Sequence, residues 1–434
     1  MSLAPHRRWV LRLLVVLALL SLGSAVRAAT VTDFGDSNDP GQLRTLLNAA
    51  ANGDSIAIPP GTITLKLGEL VVAVNLTIEG AGANATFIDG DKKSRVFNIK
   101  SLKTVGISGL TIENGSDVDG GGIFVQPGAR LTLGACKLLG NTTIGDGGGV
   151  RNEFSAVEIA DSTLSGNTAT GSSSEGGGIS NREGTVRIID STLSDNSATL
   201  AGGAIYSGES AVLKIINSTL SHNSAEKGGG IFSGNTAIGS TSLFNVTITN
   251  NFTTSPPDTG GGIFSNNGSV SLQNTIVAGN RDPDAPDCAS ANNGVFVSGG
   301  YNLIGDATGC NFNPVLGDQV GTSAAPIDPI LGPLQGNGGP TQTHALLTGS
   351  PAIDRGNPSG CIDEKGNPLT QDQRGAPRPV DGNGDGVVVC DIGAYELQLV
   401  RPAPAVSPWV AGVLAIALAF AGLVRLRHSG AIRP

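Results

Sequence analysis

Three acidic residues stand at equivalent positions, each just before a glycine run that recurs along the chain. They are Asp119, Asp146 and Glu175. If the copies stack as neighbouring β-strands, about 4.8 Å apart, the carboxylates lie near the separation of a retaining glycosidase pair, or close enough to share a Ca²⁺ ion. Arg151 follows the second run and is expected at the same edge. The position also ends a variable polar loop, where solvated acids are ordinary, so we assign no catalytic residue and keep the three acids as candidates. Stacked like charges repel, and their neutralisation is expected to stabilise the protein slightly.

A second group of polar side chains lies in the segment DGNGDGVVVCDIGAYE, residues 381–396. Its first half matches a Ca²⁺-binding loop, but the twelfth position is Ile392 where a bidentate Glu is expected, so Asp391 would have to substitute. The candidate ligands are Asp381, Asn383, Asp385 and Asp391. The alternative is an ordinary turn whose side chains accept the loop's own N–H groups. A structural Ca²⁺ is the only cofactor that the sequence suggests.

Four of the five cysteines lie in the C-terminal part of the chain. Four cysteines allow three connectivities, and we expect the short-range pairs Cys288–Cys310 and Cys361–Cys390. Cys136 occupies a position held by serine in the following copies, which indicates a small, buried, unpaired residue. The four histidines stand beside no pair of acidic residues, which argues against hydrolysis of the polygalacturonase type.

A sequence repeat of the type VEIADSTLSGNTA recurs along the chain with a period of 26 to 29 residues. The recurrent asparagines are Asn141, Asn167, Asn196, Asn223, Asn251 and Asn280. A fixed period of this size indicates a solenoid; alternating apolar and polar residues indicate β-strands, and the glycines exclude helices. We therefore predict an all-β fold, a parallel β-helix of roughly ten coils, in which the asparagine amides form a hydrogen-bonded column.

The two ends of the chain differ in composition from the repeats. Basic residues, an apolar run and a small-residue site predict a secretory signal peptide over residues 1–28. The segments predicted after it are a β-helix with an N-terminal helical cap over 29–295, an irregular C-terminal region closing the solenoid over 296–397, a Pro-rich linker over 398–408 and a C-terminal transmembrane helix or sorting segment over 409–434. The net charge of −9 disfavours nucleic acid as a partner, because phosphate binding needs a basic patch.

Several motifs resemble the choice-of-anchor Q family of exported bacterial right-handed β-helix proteins. They are LTIENG, the GGGI series with GNTA-type turns, and the C-terminal motifs THALLTGSPAIDRG, DQRGAPRP and CDIGAYE. The glycine-rich repeats also resemble those of polymorphic outer-membrane protein adhesins. The CSLREA motif of the family is absent, and GQLRTLLNAAANGDSIAIP occupies the equivalent place without its cysteine. The resemblance implies a right-handed coil and a surface location, and it supplies no catalytic residues.

This organisation admits two functions. The leading hypothesis is a non-catalytic exported protein, anchored at the bacterial cell surface through its C-terminal helix, that functions in adhesion or in the binding of a ligand such as a glycan or a surface protein. The alternative is a polysaccharide-active enzyme, a lyase or a glycoside hydrolase, that uses the three acids. A groove in which carboxylates converge with Arg or Lys opposite would favour the enzyme, whereas polar columns without convergence would favour the binding protein.

Overall fold

The computed structural model describes residues 27–235, 239–254 and 259–399, which form a stack of coils followed by a C-terminal region. Each full coil contributes one strand to each of three parallel sheets, and coils in the middle of the stack add a short strand to a fourth. The predicted all-β parallel solenoid of about ten coils is confirmed.

Sheets 1 and 2 are the two longest sheets within the described residues. Sheet 1 has twelve strands, Ala28–Thr30, Asp54–Ile58, Leu76–Gly80, Thr104–Ser108, Arg130–Gly134, Ala156–Ala160, Thr185–Ile189, Val212–Ile216, Ser240–Phe244, Ser269–Gln273, Val295–Ser298 and Phe312–Asn313. Sheet 2 has eleven strands, Gly61–Thr64, Thr86–Asp89, Thr111–Glu113, Lys137–Leu139, Thr163–Ser165, Thr192–Ser194, Thr219–Ser221, Thr247–Thr249, Ile276–Val277, Leu303–Ile304 and Gln319–Val320.

The remaining parallel strands of the described chain form sheet 3 and a corner sheet. Sheet 3 has nine strands, Leu70–Val72, Phe97–Ile99, Ile123–Val125, Val150–Glu153, Ile179–Arg182, Ile205–Glu209, Ile231–Asn235, Ile263–Asn266 and Cys288–Ala291. The corner sheet has six short strands, Ser116–Asp117, Thr142–Thr143, Thr168–Ala169, Ser197–Ala198, Ser224–Ala225 and Phe252–Thr253.

The register places each residue on its copy in the next coil. Ile159 pairs with Ile188, and Ile188 pairs with Ile215, so one sequence position becomes one aliphatic column. All three side chains are fully buried. The core is therefore built from repeated layers of Ile, Leu and Val, which explains how a chain with 4% aromatic residues fills it.

The asparagine column is a buried hydrogen-bonded ladder. In each coil the side-chain Nδ2 and the backbone N–H donate to the Oδ1 of the asparagine in the next coil. Asn280, the last member, donates instead to the carboxylate of buried Asp287, whose other oxygen accepts the N–H of Asp306. A carboxylate accepts on both sides, whereas an amide would turn a donor toward Asp306. Asp287 therefore ends the ladder.

Two separate constraints explain the glycine run that follows each asparagine. In the coil of Glu175, Gly176 has a φ of +71°, a conformation that glycine adopts at little cost. A Cβ on Gly177 would lie 2.4 Å from the carbonyl oxygen of Ser197 and 2.5 Å from that of Gly203, both in the next coil. The run recurs because adjacent coils approach each other closely at this corner.

The N-terminal end of the stack carries helix α1, Leu43–Ala49, as the predicted cap. Its apolar face, buried in the core or packed against it, consists of Leu43, Leu46, Leu47 and Ala50. The strand Ala28–Thr30 also pairs with the first full strand of sheet 1. The helix and the added strand together cover an end that would otherwise expose sheet edges.

The solenoid extends beyond the boundary predicted at residue 295. The strand Val295–Ser298 belongs to sheet 1, and sheets 1 and 2 continue to Phe312–Asn313 and Gln319–Val320. The chain then forms an antiparallel hairpin of Leu331–Gln335 and Thr343–Leu346. The coils therefore end about 25 residues later than predicted. The prediction stopped too early because the last coils lack the glycine-rich segment by which the repeat was recognised.

The irregular region that follows runs back over sheet 2. Gln373 Nε2 donates to Thr192 Oγ1 at 2.9 Å, and Thr219 Oγ1 donates to Gln373 Oε1 at 2.6 Å. Further along, the N–H of Ala394 donates to Thr247 Oγ1 at 3.0 Å. The C-terminal region thus packs on the flank of the middle coils, where the sequence had predicted that it would close the end.

The predicted segments at both ends fall largely outside the described residues. These are the signal peptide up to residue 26, the linker from residue 400 and the C-terminal helix over 409–434. The compact unit that contains the solenoid ends at Leu397. Among the residues that the structure describes, no helix combines the length and the apolar character needed to cross a membrane.

Candidate functional site

The three candidate acids lie in one column, where a loop leads each coil into sheet 3. The backbone N–H of Asp146 donates to Asp119 Oδ1 at 3.0 Å, and the N–H of Glu175 donates to Asp146 Oδ1 at 3.0 Å. Each of the first two carboxylates therefore accepts a hydrogen bond from the following coil. The structure brings the three acids together.

Two arginines on the outer face of sheet 3 bind these acids. Arg151 Nη1 lies 2.8 Å from Asp119 Oδ1 and 2.7 Å from Asp146 Oδ2. Arg182 Nη2 lies 2.5 Å from Glu175 Oε2, while its Nε lies 3.3 Å from Asp146 Oδ2, within ion-pair range. Carboxylates and guanidinium groups thus interleave along the solenoid. We call these five residues the sheet 3 ladder.

The arginines reverse one expectation about stability. Neutralising the three acids was expected to relieve repulsion and stabilise the protein. Arg151 is 13% exposed and Arg182 29% exposed, so neutralising the acids would remove their short ion pairs and leave only the longer contacts with Glu153 and Glu209. Buried polar groups that lose a partner cost about 1–3 kcal/mol each. The neutralised protein is therefore expected to be less stable.

Arg151 lies at the edge predicted from its position, but sequence analysis missed Arg182. Arg182 comes three residues after Ile179, which faces the core. Because alternate residues of a strand face opposite sides, Ser180 and Arg182 both point outward. This register is present in the repeat, yet it does not reveal that the Arg182 side chain reaches the acid of its own coil.

Burial shifts the titration of one member of the ladder. It raises the pKa of Glu175, and the charge of Asp146 raises it further, while Arg182 lowers it. The Tyr206 hydroxyl hydrogen-bonds to Glu175, and the Arg182 guanidinium lies 5.4 Å from the centre of the Tyr206 ring. A carboxyl group with a raised pKa is suited to donate a proton.

Aromatic side chains flank the ladder on the same sheet. The rings of Tyr206 and Phe232 stack with centroids 5.2 Å apart, and those of Phe232 and Phe264 lie 5.5 Å apart. These three are at most 8% exposed and form a packed cluster. At the other end of the ladder, the Arg95 guanidinium lies 5.2 Å from the centre of the Phe124 ring.

Exposed apolar side chains border the ladder on both sides. Phe154 and Leu102, at the corner between sheets 3 and 1, are 50% and 78% exposed. Val118 and Ile144, in the loops that carry the acids, are 59% and 65% exposed. Phe154 and Leu102 also have φ values of +49° and +63°, which bulky residues rarely adopt.

Two buried polar atoms of this face, Arg151 Nε and Ser180 Oγ, have no hydrogen-bond partner within the described residues, and Arg182 Nε has only its 3.3 Å ion-pair contact with Asp146. Ser180 is fully buried and lies in register between Arg151 and Tyr206. Buried polar groups nearly always have a partner, which is protein, water or ligand. A small polar group bound at this point would satisfy them.

The four predicted Ca²⁺ ligands are not assembled into one site. Asp381 accepts N–H groups of the turn's own glycines, and Asn383 and Asp385 each accept the N–H two residues further on. Asp391 is buried elsewhere and accepts the N–H of Leu397. In the parts of the chain that the structure covers, no group of three His, Cys, Asp or Glu side chains is arranged to hold a metal ion. These residues fit the alternative of a turn satisfied by its own side chains.

A serine–histidine contact that sequence analysis did not find lies on sheet 2. Ser221 Oγ is 2.9 Å from His344 Nε2, and His344 Nδ1 is 2.6 Å from the carbonyl oxygen of Gly332. Ser221 is fully buried and His344 is 2% exposed, and burial lowers the pKa of His344. The pair is closed to substrate and fastens the C-terminal hairpin to the solenoid.

The two disulfides have the expected pairing. Cys288 is joined to Cys310 and Cys361 to Cys390, with Cα–Cα distances of 5.3 and 6.1 Å. Cys288 begins the last strand of sheet 3, so the first bridge ties the end of the coils and only the second lies in the irregular region. Cys136 is buried with a free thiol, and burial raises the pKa of that thiol to about 11.

The C-terminal motifs DQRGAPRP and CDIGAYE meet in a buried ionic cluster. Arg378 Nε lies 2.8 Å from Glu396 Oε2, and both side chains are fully buried. Glu396 also accepts the N–H of Asp391. Burial and the charge of Glu396 raise the pKa of Asp391 to about 7. Because the Arg378 and Glu396 side chains are fully buried, this ion pair holds the two motifs together.

Comparison with known proteins gives a fold likeness and one short repeat match. The model of the Chlamydia polymorphic membrane protein repeat matches residues 190–208. The crystal structure of pectate lyase Pel9A is similar with a TM-score of 0.52 at 12% identity, over 86% of this chain and 96% of that chain. A mannuronic acid specific polysaccharide family 6 lyase from human gut microbiota gives a TM-score of 0.27 at 13% identity, over 68% of this chain and 91% of that chain. The search of curated proteins finds no match.

At these identities the comparison with the pectate lyase shows the fold alone. The chain is a parallel β-solenoid of the right-handed type, with repeats of which one matches the polymorphic membrane protein model. The choice-of-anchor Q resemblance stays a prediction.

Proposed function

We propose that this protein is an exported cell-surface β-solenoid that binds a polysaccharide across the outer face of sheet 3. The observation that carries the proposal is the sheet 3 ladder, five charged side chains in line with the exposed Phe154 ring at its border. Carboxylate and guanidinium groups make strong hydrogen bonds, here to sugar hydroxyls, and an aromatic ring packs against the apolar face of a sugar. Because stacked coils repeat these groups about every 5 Å, the face suits a polymer of repeated units.

Two comparisons support parts of this proposal. The fold is shared with a pectate lyase, a protein whose name states that it acts on a polysaccharide. This favours a glycan over a protein as the ligand, and it supports the second candidate below, cleavage, more directly than binding. The polymorphic membrane protein repeat supports a surface location. Export through the signal peptide and attachment by the C-terminal helix are proposed from the sequence of the two ends.

Cleavage of the bound polysaccharide is a second candidate function. The observation that favours it is the raised pKa of Glu175 beside the Asp146 carboxylate, because glycosidases pair a proton-donating carboxyl group with a second carboxylate. Arg151 and Arg182 hold both carboxylates in ion pairs, which lowers their reactivity. Binding is therefore the function that the geometry supports better.

The test uses the purified full-length protein and the double variant Asp146→Asn/Glu175→Gln. Affinity electrophoresis in a panel of polysaccharides measures binding, while new reducing ends and the ultraviolet absorbance of an unsaturated product measure cleavage. We expect the wild type to bind at least one polysaccharide and the double variant to bind it about tenfold more weakly, a change of 1.4 kcal/mol. Glu158→Gln, on the outer face of sheet 1, is the matched control and should bind like the wild type.

Two outcomes would change the proposal. A wild-type protein that binds none of the polysaccharides contradicts it. Cleavage by the wild type that disappears in the double variant would make the second candidate the function of this face.

A further inference from the structure

The charge of the proposed glycan face points to the class of sugar that it takes. Around the ladder, from Asp119 to Glu209, five carboxylates lie within 3.7 Å of two guanidinium groups, and a sixth, that of Glu183, neighbours Glu209 and Glu153, which gives a surplus of four negative charges among the described residues. The carboxylates are those of Asp119, Asp146, Glu153, Glu175, Glu183 and Glu209, and the guanidinium groups are those of Arg151 and Arg182. Lys227, an exposed cation, follows only in a later coil.

We infer, resting on the proposed function, that this face binds a glycan with protonated amino groups, such as a polymer of glucosamine, and not a polymer of uronic acids. The inference names the substrate class of the same site. It departs from what the fold alone would indicate, because the solenoids that resemble this one include a pectate lyase.

The arginines offer little to an anionic sugar. Arg151 already contacts Asp119, Asp146 and Glu153. Arg182 contacts Asp146 and Glu175, with Glu209 at 3.5 Å. A uronate would have to displace one of these carboxylates and would then add a further negative charge to the surplus. Its binding would be opposed by electrostatic repulsion.

The carboxylates at the edge toward sheet 1 offer a place for an ammonium group. The neighbouring carboxyl group of Glu209 and the charge of Glu153 raise the pKa of Glu183. Side chains that repel each other in this way are stabilised by a cation placed between them. A protonated amine supplies one positive charge with three N–H donors, which matches a group of carboxylates that only accept.

Two further observations favour a sugar over a simple cation as the ligand. The fully buried Ser180 hydroxyl and Arg151 Nε lie beneath this face without a hydrogen-bond partner among the described residues. A water molecule held beneath the sugar would satisfy them. Phe154 directly follows Glu153 and is 50% exposed, so a sugar whose amine binds the carboxylates can pack against its ring.

The experiment measures binding of the full-length protein to three soluble oligosaccharides of equal length at pH 6 by isothermal titration calorimetry. They are a glucosamine oligomer, its N-acetylated form and a galacturonate oligomer. We expect the glucosamine oligomer to bind at least about tenfold more tightly than either of the others, and its affinity to fall as salt is raised from 50 to about 500 mM.

The variant Glu153→Gln/Glu183→Gln/Glu209→Gln removes charge and keeps the shape of the edge. It should reduce the affinity for the glucosamine oligomer about tenfold and leave that for the N-acetylated oligomer unchanged. Glu158→Gln, on sheet 1, is the matched control. Circular dichroism and the melting temperature confirm that each variant is folded.

The outcomes separate this inference from the function on which it rests. If the galacturonate or the N-acetylated oligomer binds as tightly as the glucosamine oligomer, the inference about sugar class is overturned, and polysaccharide binding stands. If none of the three binds, and the polysaccharide panel gives no binding either, the proposed function fails as well.

Discussion

Replacing Asn196 by leucine tests how much the buried asparagine ladder contributes to stability. The Asn196 side chain makes four hydrogen bonds and is fully buried. Its Nδ2 donates to the carbonyl oxygen of Leu164 and to Asn223 Oδ1, both at 2.9 Å. Its Oδ1 accepts from the backbone N–H of Asn167 at 3.0 Å and from Asn167 Nδ2 at 2.9 Å. Leucine provides none of these contacts.

The expected loss in the free energy of unfolding follows from the buried polar groups that would lose a hydrogen-bond partner. The Leu164 carbonyl, the Asn167 backbone N–H and one Asn167 side-chain N–H lose a partner, whereas Asn223 Oδ1 keeps the backbone N–H of residue 196. At about 1–3 kcal/mol for each unsatisfied buried group, the loss is at least about 3 kcal/mol. The side chain also packs against Gly178, where a Cβ would lie 3.3 Å from Asn196 Cγ, so a branched leucine has little room to relax.

Urea unfolding of the full-length protein, followed by circular dichroism, measures the change in the free energy of unfolding. Hydrogen exchange then locates it, because a repeat protein loses stability first in the coils next to the substitution. Asn84→Leu is the control, since Asn84 is exposed and only accepts a hydrogen bond from Lys137 at the surface. The control should change stability by less than about 0.5 kcal/mol. A loss below about 1 kcal/mol in Asn196→Leu would refute the view that the ladder's amides are stabilised by one another.

Three further predictions concern the C-terminal region and Asp287, which ends the asparagine ladder. Cys361→Ser/Cys390→Ser opens a bridge that spans 29 residues and should cost about 3–4 kcal/mol in the C-terminal region while the coils stay folded, which limited proteolysis will show as early cleavage after residue 320. Arg378→Met leaves the buried Glu396 carboxylate unpaired and should destabilise the protein by about 3–5 kcal/mol in urea unfolding; an unchanged midpoint would mean that the cluster is hydrated. Burial raises the pKa of Asp287 from 3.8 to about 6, so its contribution to stability is fully present below pH 3.8 and is lost as the pH rises through 6, by about 3 kcal/mol. Asp287→Asn should remove that part of the slope between pH 4 and 7, and an identical slope in the variant would count against this assignment.

The repeated part of the fold could be predicted because each coil packs against neighbouring coils of nearly the same sequence. A residue in one coil lies on the residue 26 to 29 positions later, so the period alone places Asn167 on Asn196 and Asp119 beside Asp146. The alternation within each phrase then decides which side chains enter the core. Arg182 was missed because the period reports which residues stack, whereas the partner of a long side chain depends on how it crosses the sheet surface.

The C-terminal region shows the opposite case. Its contacts join residues far apart in a stretch without periodicity, such as Gln373 with Thr192 and His344 with Ser221. Its motifs were recognisable, but nothing in them indicated that the region lies along sheet 2. The role of Asp287 was equally hidden, because an aspartate seven residues after Asn280 resembles any loop acid.

The sequence by itself determined the solenoid, its columns and the stacking of the three acids. These follow from the repeat period, from the close approach of coils that only glycine allows and from the hydrogen bonds that stacked asparagines form. The tertiary structure decided that arginines neutralise part of the acid column, that the C-terminal region covers the flank of the coils and that the face of sheet 3 keeps a surplus of negative charge. These features depend on side chains meeting across surfaces that the chain order does not bring together. Their geometry exists only once the coils and the C-terminal region are packed.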